Sequence, residues 1–221
     1  MRVSEIFTSL EGEGIRQGFP CSFVRFYGCP LHCSYCDTRY ACQGGEFRDM
    51  SPEEILEVLL RPSCRRVTLT GGEPLCAGGI VPFTDLLLDR GFEVNIETSG
   101  AVDYNILWSR ERRLHLKDRL IMTVDYKLPG SGMEPRMASP CFTSLMSWDV
   151  LKFVVSDLED LEVMRQVLER LRPFCHIYAG AVLGRIHPRD IAGYLLEHGL
   201  NNVRLQLQLH KYVWDPDARG V

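Results

Sequence analysis

No stretch of this 221-residue chain approaches the ~20 consecutive apolar residues that a bilayer span requires, and Arg2 and Glu5 lead into no hydrophobic run of signal-peptide type. A membrane span is excluded, and a cytoplasmic protein is expected. An excess of one charge is missing too: 25 basic against 29 acidic side chains leave a formal charge of −4, with no broad positive field for gripping nucleic acid. No repeat, low-complexity tract or Gly/Pro/Ser-rich linker divides the sequence, so one domain over residues 1–221 is the simplest organisation. At 45% apolar and 24% charged the composition is that of an ordinary globular chain, which excludes disorder. What is abundant is cysteine. Nine thiols, an odd number in reducing surroundings, argue against a disulfide framework and for metal binding by some of them.

Runs rich in β-branched and aromatic residues recur at Ser22–Tyr27, Arg66–Thr70, Phe92–Glu97, Leu120–Asp125, Val150–Val155, His176–Val182 and Val203–Leu209. Helical patterns lie between several of them. Ser51 as cap, Pro52 in the first turn and Glu54 as capping-box partner start a helix carrying Ile55, Leu56 and Leu59. A second covers Ile80 to Asp89 and stops at Gly91, a third runs from about Asp157 to Arg172 ahead of Pro173, and a fourth follows Pro188. Strand–helix–strand alternation predicts an α/β fold with a parallel sheet and right-handed crossovers. Weak helix signals between Glu97 and Leu120 and between Asp125 and Val150 predict that it curls into an irregular, incomplete barrel.

Cys29, Cys33 and Cys36 form a C-x3-C-x2-C pattern directly after the first core strand. A structural zinc needs a fourth protein ligand, for which His32 or Cys42 are at hand, whereas a [4Fe–4S] cluster on three cysteines keeps one iron open to a ligand. The spacing, with aromatic Tyr35 before the last cysteine, resembles the signature of radical S-adenosylmethionine (SAM) enzymes. That resemblance implies a partial TIM-like β/α barrel, a [4Fe–4S] cluster on the three cysteines, and SAM chelated at the open iron. One electron from the cluster then yields a 5′-deoxyadenosyl radical that abstracts hydrogen from substrate.

Gly71-Gly72-Glu73-Pro74, at the end of the second core strand, looks like the segment that meets the methionyl amine in that superfamily, and glycine lets a backbone approach a ligand closely. Further cofactor contacts implied are Tyr35, Ser99 within Glu97-Thr98-Ser99-Gly100, Asp125-Tyr126-Lys127, and Ala179-Gly180-Ala181-Val182. This last stretch departs from a usual polar-then-proline pattern and leaves the contact to backbone groups. Lys152 is equally readable as a ligand contact or as a snorkelling lysine.

Leu10-Glu11-Gly12-Glu13-Gly14, Arg25, Cys36-Asp37-Thr38, Gln208-Leu209-His210-Lys211 and the closing Trp214-Asp215-Pro216-Asp217-Ala218-Arg219-Gly220-Val221 together resemble the 7-carboxy-7-deazaguanine synthase family. The resemblance implies a lyase that converts 6-carboxy-5,6,7,8-tetrahydropterin to 7-carboxy-7-deazaguanine with loss of ammonia, on the route to queuosine and related deazapurines. An electron donor such as flavodoxin or ferredoxin, a homodimer, and no direct nucleic-acid contact are implied with it. Against such a substrate Arg25 can fork the carboxylate, while Leu10, Glu11, Gly12 and Glu13 meet the pterin edge. Thr70 touches both ligands, and Thr38 is the expected oxygen ligand of Mg²⁺.

Gln206, Gln208 and His210 alternate with Leu205, Leu207 and Leu209, so a strand would put the polar set on one face, with Gln208 and His210 reaching substrate. The tail implies a contact from Val221 through its carboxylate. Glu5, Arg2, Asp103 and the run Arg110–Arg113 read as solvated surface. Of the remaining cysteines most read as core thiols, and Cys76 is the one near the Gly-Gly-Glu-Pro segment. The competing functions are a glycyl-radical-enzyme activase, which leaves Leu10–Gly14 and the tail unexplained, and a non-catalytic zinc or iron–sulfur module.

Overall fold

A computed structural model describes residues 1–137, 140–215 and 218–221; Pro216 and Asp217 of the quoted tail lie outside the described residues. Nine strands form one sheet: β1 (Arg2–Leu10), β2 (Pro20–Phe26), β3 (Arg48–Asp49), β4 (Arg66–Gly71), β5 (Glu93–Thr98), β6 (Leu120–Tyr126), β7 (Val150–Val155), β8 (His176–Ala181) and β9 (Val203–Gln206). Their order is β3-β1-β2-β4-β5-β6-β7-β8-β9, with β3 and β9 at the open edges. From β2 onward every neighbour pair is parallel, while β1 runs antiparallel to β2 and β3. The expected partial barrel is therefore present, and it does not close.

The helices are α1 (Arg39–Cys42), α2 (Pro52–Leu60), α3 (Ile80–Asp89), α4 (Arg110–His115), α5 (Leu158–Leu171), α6 (Pro188–Glu197) and α7 (His210–Val213). Their starts are chemically explicit. Ser51 Oγ accepts from Glu54 N at 3.1 Å while the Glu54 carboxylate accepts from Ser51 N at 2.7 Å, which completes the capping box of α2. Asp157 caps α5, which ends at left-handed Arg172 ahead of Pro173, and Pro188 opens α6. Ile55, Leu56 and Leu59 of α2 pack into the core.

Strand alternation then sorts the sheet's two faces. Val24, Leu69, Ile96, Met122, Leu151, Phe153, Ile177 and Ala179 are buried in the core shared with the helices. The register puts Glu5 beside Arg25, Arg25 beside Thr70, Glu97 beside Thr123, Asp125 beside Lys152, Lys152 beside Tyr178 and Gly180 beside Gln206. This second face is polar and lines the barrel's inside. Among the described residues no helix is long and apolar enough to cross a membrane.

Five expectations change. Arg2–Leu10, for which the sequence predicts no strand, is a full strand, because antiparallel pairing with β2 satisfies its backbone. The last strand stops at Gln206: Leu209 N turns to Gly12 O at 3.0 Å and His210 opens the short α7, so Gln208 and His210 reach the lumen from a turn instead of a strand. Glu5 is no solvated residue, since its Oε1 accepts from Arg25 Nε at 2.6 Å and Tyr40 OH at 2.8 Å. Arg113 is 1% exposed and forks Asp149. Asp103 caps a 3-10 turn by accepting from Asn105 N.

Candidate active site

The carboxyl ends of β2 and β4 are tied to each other and to α1 at backbone level. Gly72 N donates to Phe26 O at 2.9 Å, Glu73 N to Gly28 O at 2.8 Å, and Gly28 N to Ala41 O at 2.7 Å. A Cβ on Gly72 would fall 2.2 Å from Gly28 O, and one on Gly71, at φ +133°, would fall 2.2 Å from Phe26 O. The two glycines are thus required by the close approach of β4 to the cysteine loop, a reason internal to the protein that the sequence reading assigned to a ligand. The Glu73 carboxylate is 1% exposed and accepts from Ser99 N, Ser99 Oγ, Thr98 Oγ1 and Leu75 N at 2.5–3.2 Å. It anchors the loop, so what Gly71–Glu73 can present to a cofactor is backbone.

On the loop itself Cys29, Cys33 and Cys36 are half-buried. Cys36 Sγ lies 3.8 Å from Cys42 Sγ and 3.8 Å from Thr38 Oγ1. The Cys42 thiol contact, ahead of burial, brings the Cys36 thiol down to about 6 and also lowers Cys29, while burial raises Cys33. A thiol that ionises below the ordinary range is suited to ligating a metal. Among the described residues no three His, Cys, Asp or Glu side chains converge as a single-ion site. A cube takes each thiolate at its own corner and leaves one iron open, and the three half-buried thiols of Cys29, Cys33 and Cys36 fit such a cluster. Tyr35 reaches across from the loop to β7, donating to Val154 O at 3.2 Å, and Arg185 lies 5.6 Å above its ring.

Beside the loop the barrel mouth carries five carboxylates, from Glu5, Glu11, Glu13, Glu97 and Asp125, against the cations of Arg25, Lys127 and Lys152. Lys152 Nζ lies 2.5 Å from Glu13 Oε2 and 3.1 Å from Asp125 Oδ1, and Lys127 lies 2.8 Å from Asp125 Oδ2. Burial opposes the Lys152 charge, but Asp125, Glu13 and Glu97 outweigh it and hold the ammonium well above the ordinary lysine range. Thr70 donates to Glu97 at 2.8 Å and Thr68 to Glu11 at 2.5 Å. Glu11 is 2% exposed; burial first, then the Glu97 charge, push its carboxyl up to about 8. Gln208 Nε2 donates to Glu13 at 2.5 Å, Gln17 Nε2 bridges Gly12 O and Leu207 O, and a Cβ on Gly12 would lie 2.4 Å from His210 Nδ1. The Glu11–Glu13 loop and the 207–210 turn are therefore locked together over the mouth. An acid-rich cleft of this kind suits a cationic ligand and a second one rich in N–H donors.

Residues 23–119 match the Radical SAM superfamily. Over 224 aligned residues the sequence is 42% identical to the 7-carboxy-7-deazaguanine synthase of Clostridium acetobutylicum, covering 100% of this chain and 99% of that one. The enzyme of the same name from Koribacter versatilis is 36% identical over 100% of both. The crystal structure of QueE from Escherichia coli superposes with a TM-score of 0.74 at 26% identity, over 95% of this chain and 94% of that one. The chain belongs to the 7-carboxy-7-deazaguanine synthase family.

Within this family member the residues singled out by sequence divide by strand parity. Arg25, Thr70, Asp125 and Gly180 face the lumen with Glu11, Glu13, Gln208 and His210 around them. Tyr126 turns the other way, buried against Phe142 and Phe153, so its expected cofactor contact falls to its backbone. Ala179 likewise lies in the helix-side core, and Val182 N is spent on Val155 O. Leu10 ends β1, and Thr38 stands at the amino end of α1. Val221 is half-buried, following Gly220, whose Cβ would lie 3.9 Å from Phe7. Cys76 is exposed. The sequence alone assigns no site role to the side chains of Glu5, Tyr40, Glu97 and Thr68. For two of them a signal existed: Glu93, Asn95 and Glu97 alternate with Val94 and Ile96, as Arg66, Thr68 and Thr70 alternate with Val67 and Leu69, which marks a polar strand face in each.

Proposed function

We propose that the chain is a radical SAM lyase of deazapurine biosynthesis that converts 6-carboxy-5,6,7,8-tetrahydropterin to 7-carboxy-7-deazaguanine and ammonia. The observation carrying this reading is the mouth itself: a guanidinium on β2 and two loop carboxylates converge beside a three-cysteine loop. Cys29, Cys33 and Cys36 would hold the [4Fe–4S] cluster. The Gly71–Glu73 backbone, Tyr35, Ser99, Asp125, Lys127 and the 179–182 backbone would hold SAM. When bound, the pair supplies a carbon radical that takes a hydrogen atom from substrate.

The protein's own side chains then do the orienting. Arg25 binds the substrate carboxylate through paired charge-assisted hydrogen bonds. Glu13, held between Lys152 and Gln208, accepts from the pterin's amine, and Glu11, neutral at pH 7, offers both an O–H and a carbonyl oxygen. The Thr38 hydroxyl would take one site of a Mg²⁺ whose other ligands are water and the substrate carboxylate. The reading includes one functional domain over residues 1–221 closed by its tail through Val221, a homodimer, a cytosolic location, and a flavodoxin or ferredoxin as electron source.

Anaerobic incubation with SAM, reductant, Mg²⁺ and the carboxytetrahydropterin, read by product mass, tests it. Deazaguanine should form with SAM used catalytically. SAM cleavage without that product, or 5′-deoxyadenosine accumulating one-for-one with turnover, would defeat the reading.

A further inference from the structure

Arg25 carries a constraint that the substrate does not supply. Its Nε, 2.6 Å from Glu5 Oε1, makes the one hydrogen bond of this guanidinium among the described residues, and both Nη groups are left over. The same Glu5 oxygen accepts from Tyr40 OH at 2.8 Å, so two donors on different elements fix a single acceptor. The guanidinium is further bounded by the Phe7 ring, 5.9 Å from Cζ, and the Tyr40 ring is covered by Arg219 at 4.0 Å. Arg25 and Glu5 face each other in the β1–β2 register, so both side chains leave the sheet on the lumen face. An arginine has long, rotatable arms, and a carboxylate fork is strong only when the two Nη groups lie in the plane of the incoming anion.

We propose that Glu5 and Tyr40 are positioning residues that hold Arg25 by its Nε edge, presenting the Nη pair to an anionic group, and that they thereby make the enzyme selective for a carboxylated pterin. This rests on the substrate reading above and adds the origin of its specificity. Glu5 acts through its acceptor oxygen. Its negative charge partly neutralises Arg25 and gives no attraction for a second anion, so Glu5→Gln, which keeps an acceptor in place, should preserve selectivity, whereas Glu5→Ala should not. Tyr40→Phe removes one of the two donors that fix that oxygen and should have an intermediate effect.

The measurement is anaerobic equilibrium binding of 6-carboxytetrahydropterin and of tetrahydropterin lacking the carboxylate to cluster-loaded protein, with iron content and thermal midpoint as controls. The quantity read is the ratio of the two affinities. Glu5→Ala should lower that ratio about tenfold and Tyr40→Phe about threefold, on the scale of one charge-assisted hydrogen bond, with Glu5→Gln near the starting ratio. An unchanged ratio in Glu5→Ala, or equal weakening of both pterins in all three variants, would overturn the proposal. Should Glu5→Ala fail to fold, Tyr40→Phe and Glu5→Gln decide it by the same ratio. A starting protein that shows no preference for the carboxylated pterin would instead overturn the substrate reading.

Discussion

Arg113 of α4 and Asp149, just before β7, form a closed system, whereas Lys152 further along β7 belongs to an open one. Asp149 accepts twice from Arg113, at 2.6 and 2.7 Å, and again from Met122 N and Met146 N, and the two side chains are 1% and 0% exposed. The carboxylate has no oxygen to spare, and Arg113 Nε and Nη1, buried without a hydrogen-bond partner among the described residues, are shut off from any ligand. At the other end, Lys152 divides one ammonium between Glu13 and Asp125, with the three side chains 11–17% exposed and Glu97 adding a further carboxylate nearby. Acid outnumbers base there. A buried pair closed to solvent locks elements together, while a partly open one keeps charge available for something that arrives later.

The sharpest way to break this contrast is Arg113→Ala. It strands a buried Asp149, so unfolding free energy should fall by about 3–5 kcal/mol, measured by denaturant titration, while the iron content of whatever folds stays normal. Lys152→Met should behave in reverse. Its carboxylates have access to water, so the stability loss should be less than about half of that for Arg113→Ala, but affinity for the carboxytetrahydropterin should drop at least tenfold. Equal stability losses would erase the distinction.

The smallest effect is one of pH. Glu11 has a folded-state value raised to about 8, so the folded chain holds this proton more tightly than the unfolded chain between about 4.5 and 8. Its contribution to stability is therefore present at low pH and lost as pH rises through that window. Glu11→Gln removes the titration: its thermal midpoint relative to the unmodified chain should climb from pH 5 to pH 8 and then level off. A constant offset would show Glu11 to be an ordinary carboxylate.

Much of this was legible because it is written in local chemistry. The Ser51 capping box, the Pro173 and Pro188 boundaries and the C-x3-C-x2-C loop each need only a few adjacent residues, and all fell where expected. The pairing of Glu5 with Arg25 and of Arg113 with Asp149 joins residues 20 and 36 positions apart. A charged residue looks the same in a sequence whether it meets water or a partner on another element, so Glu5 and Arg113 read as surface. Gly71 and Gly72 show a subtler limit: their identity was readable, but whether the close approach was to a ligand or to Gly28 and Phe26 depended on how β4 meets the cysteine loop.

Glu73 ties the end of β4 to Thr98 and Ser99 through a carboxylate shut off from water. Strand termini ordinarily fray, with amides that exchange on the timescale of local opening. Here the amide of Ser99, just past its strand, is held with Ser99 Oγ and Thr98 Oγ1 on one buried carboxyl group. The rim on which any cofactor would rest thus shares the protection of the sheet's interior.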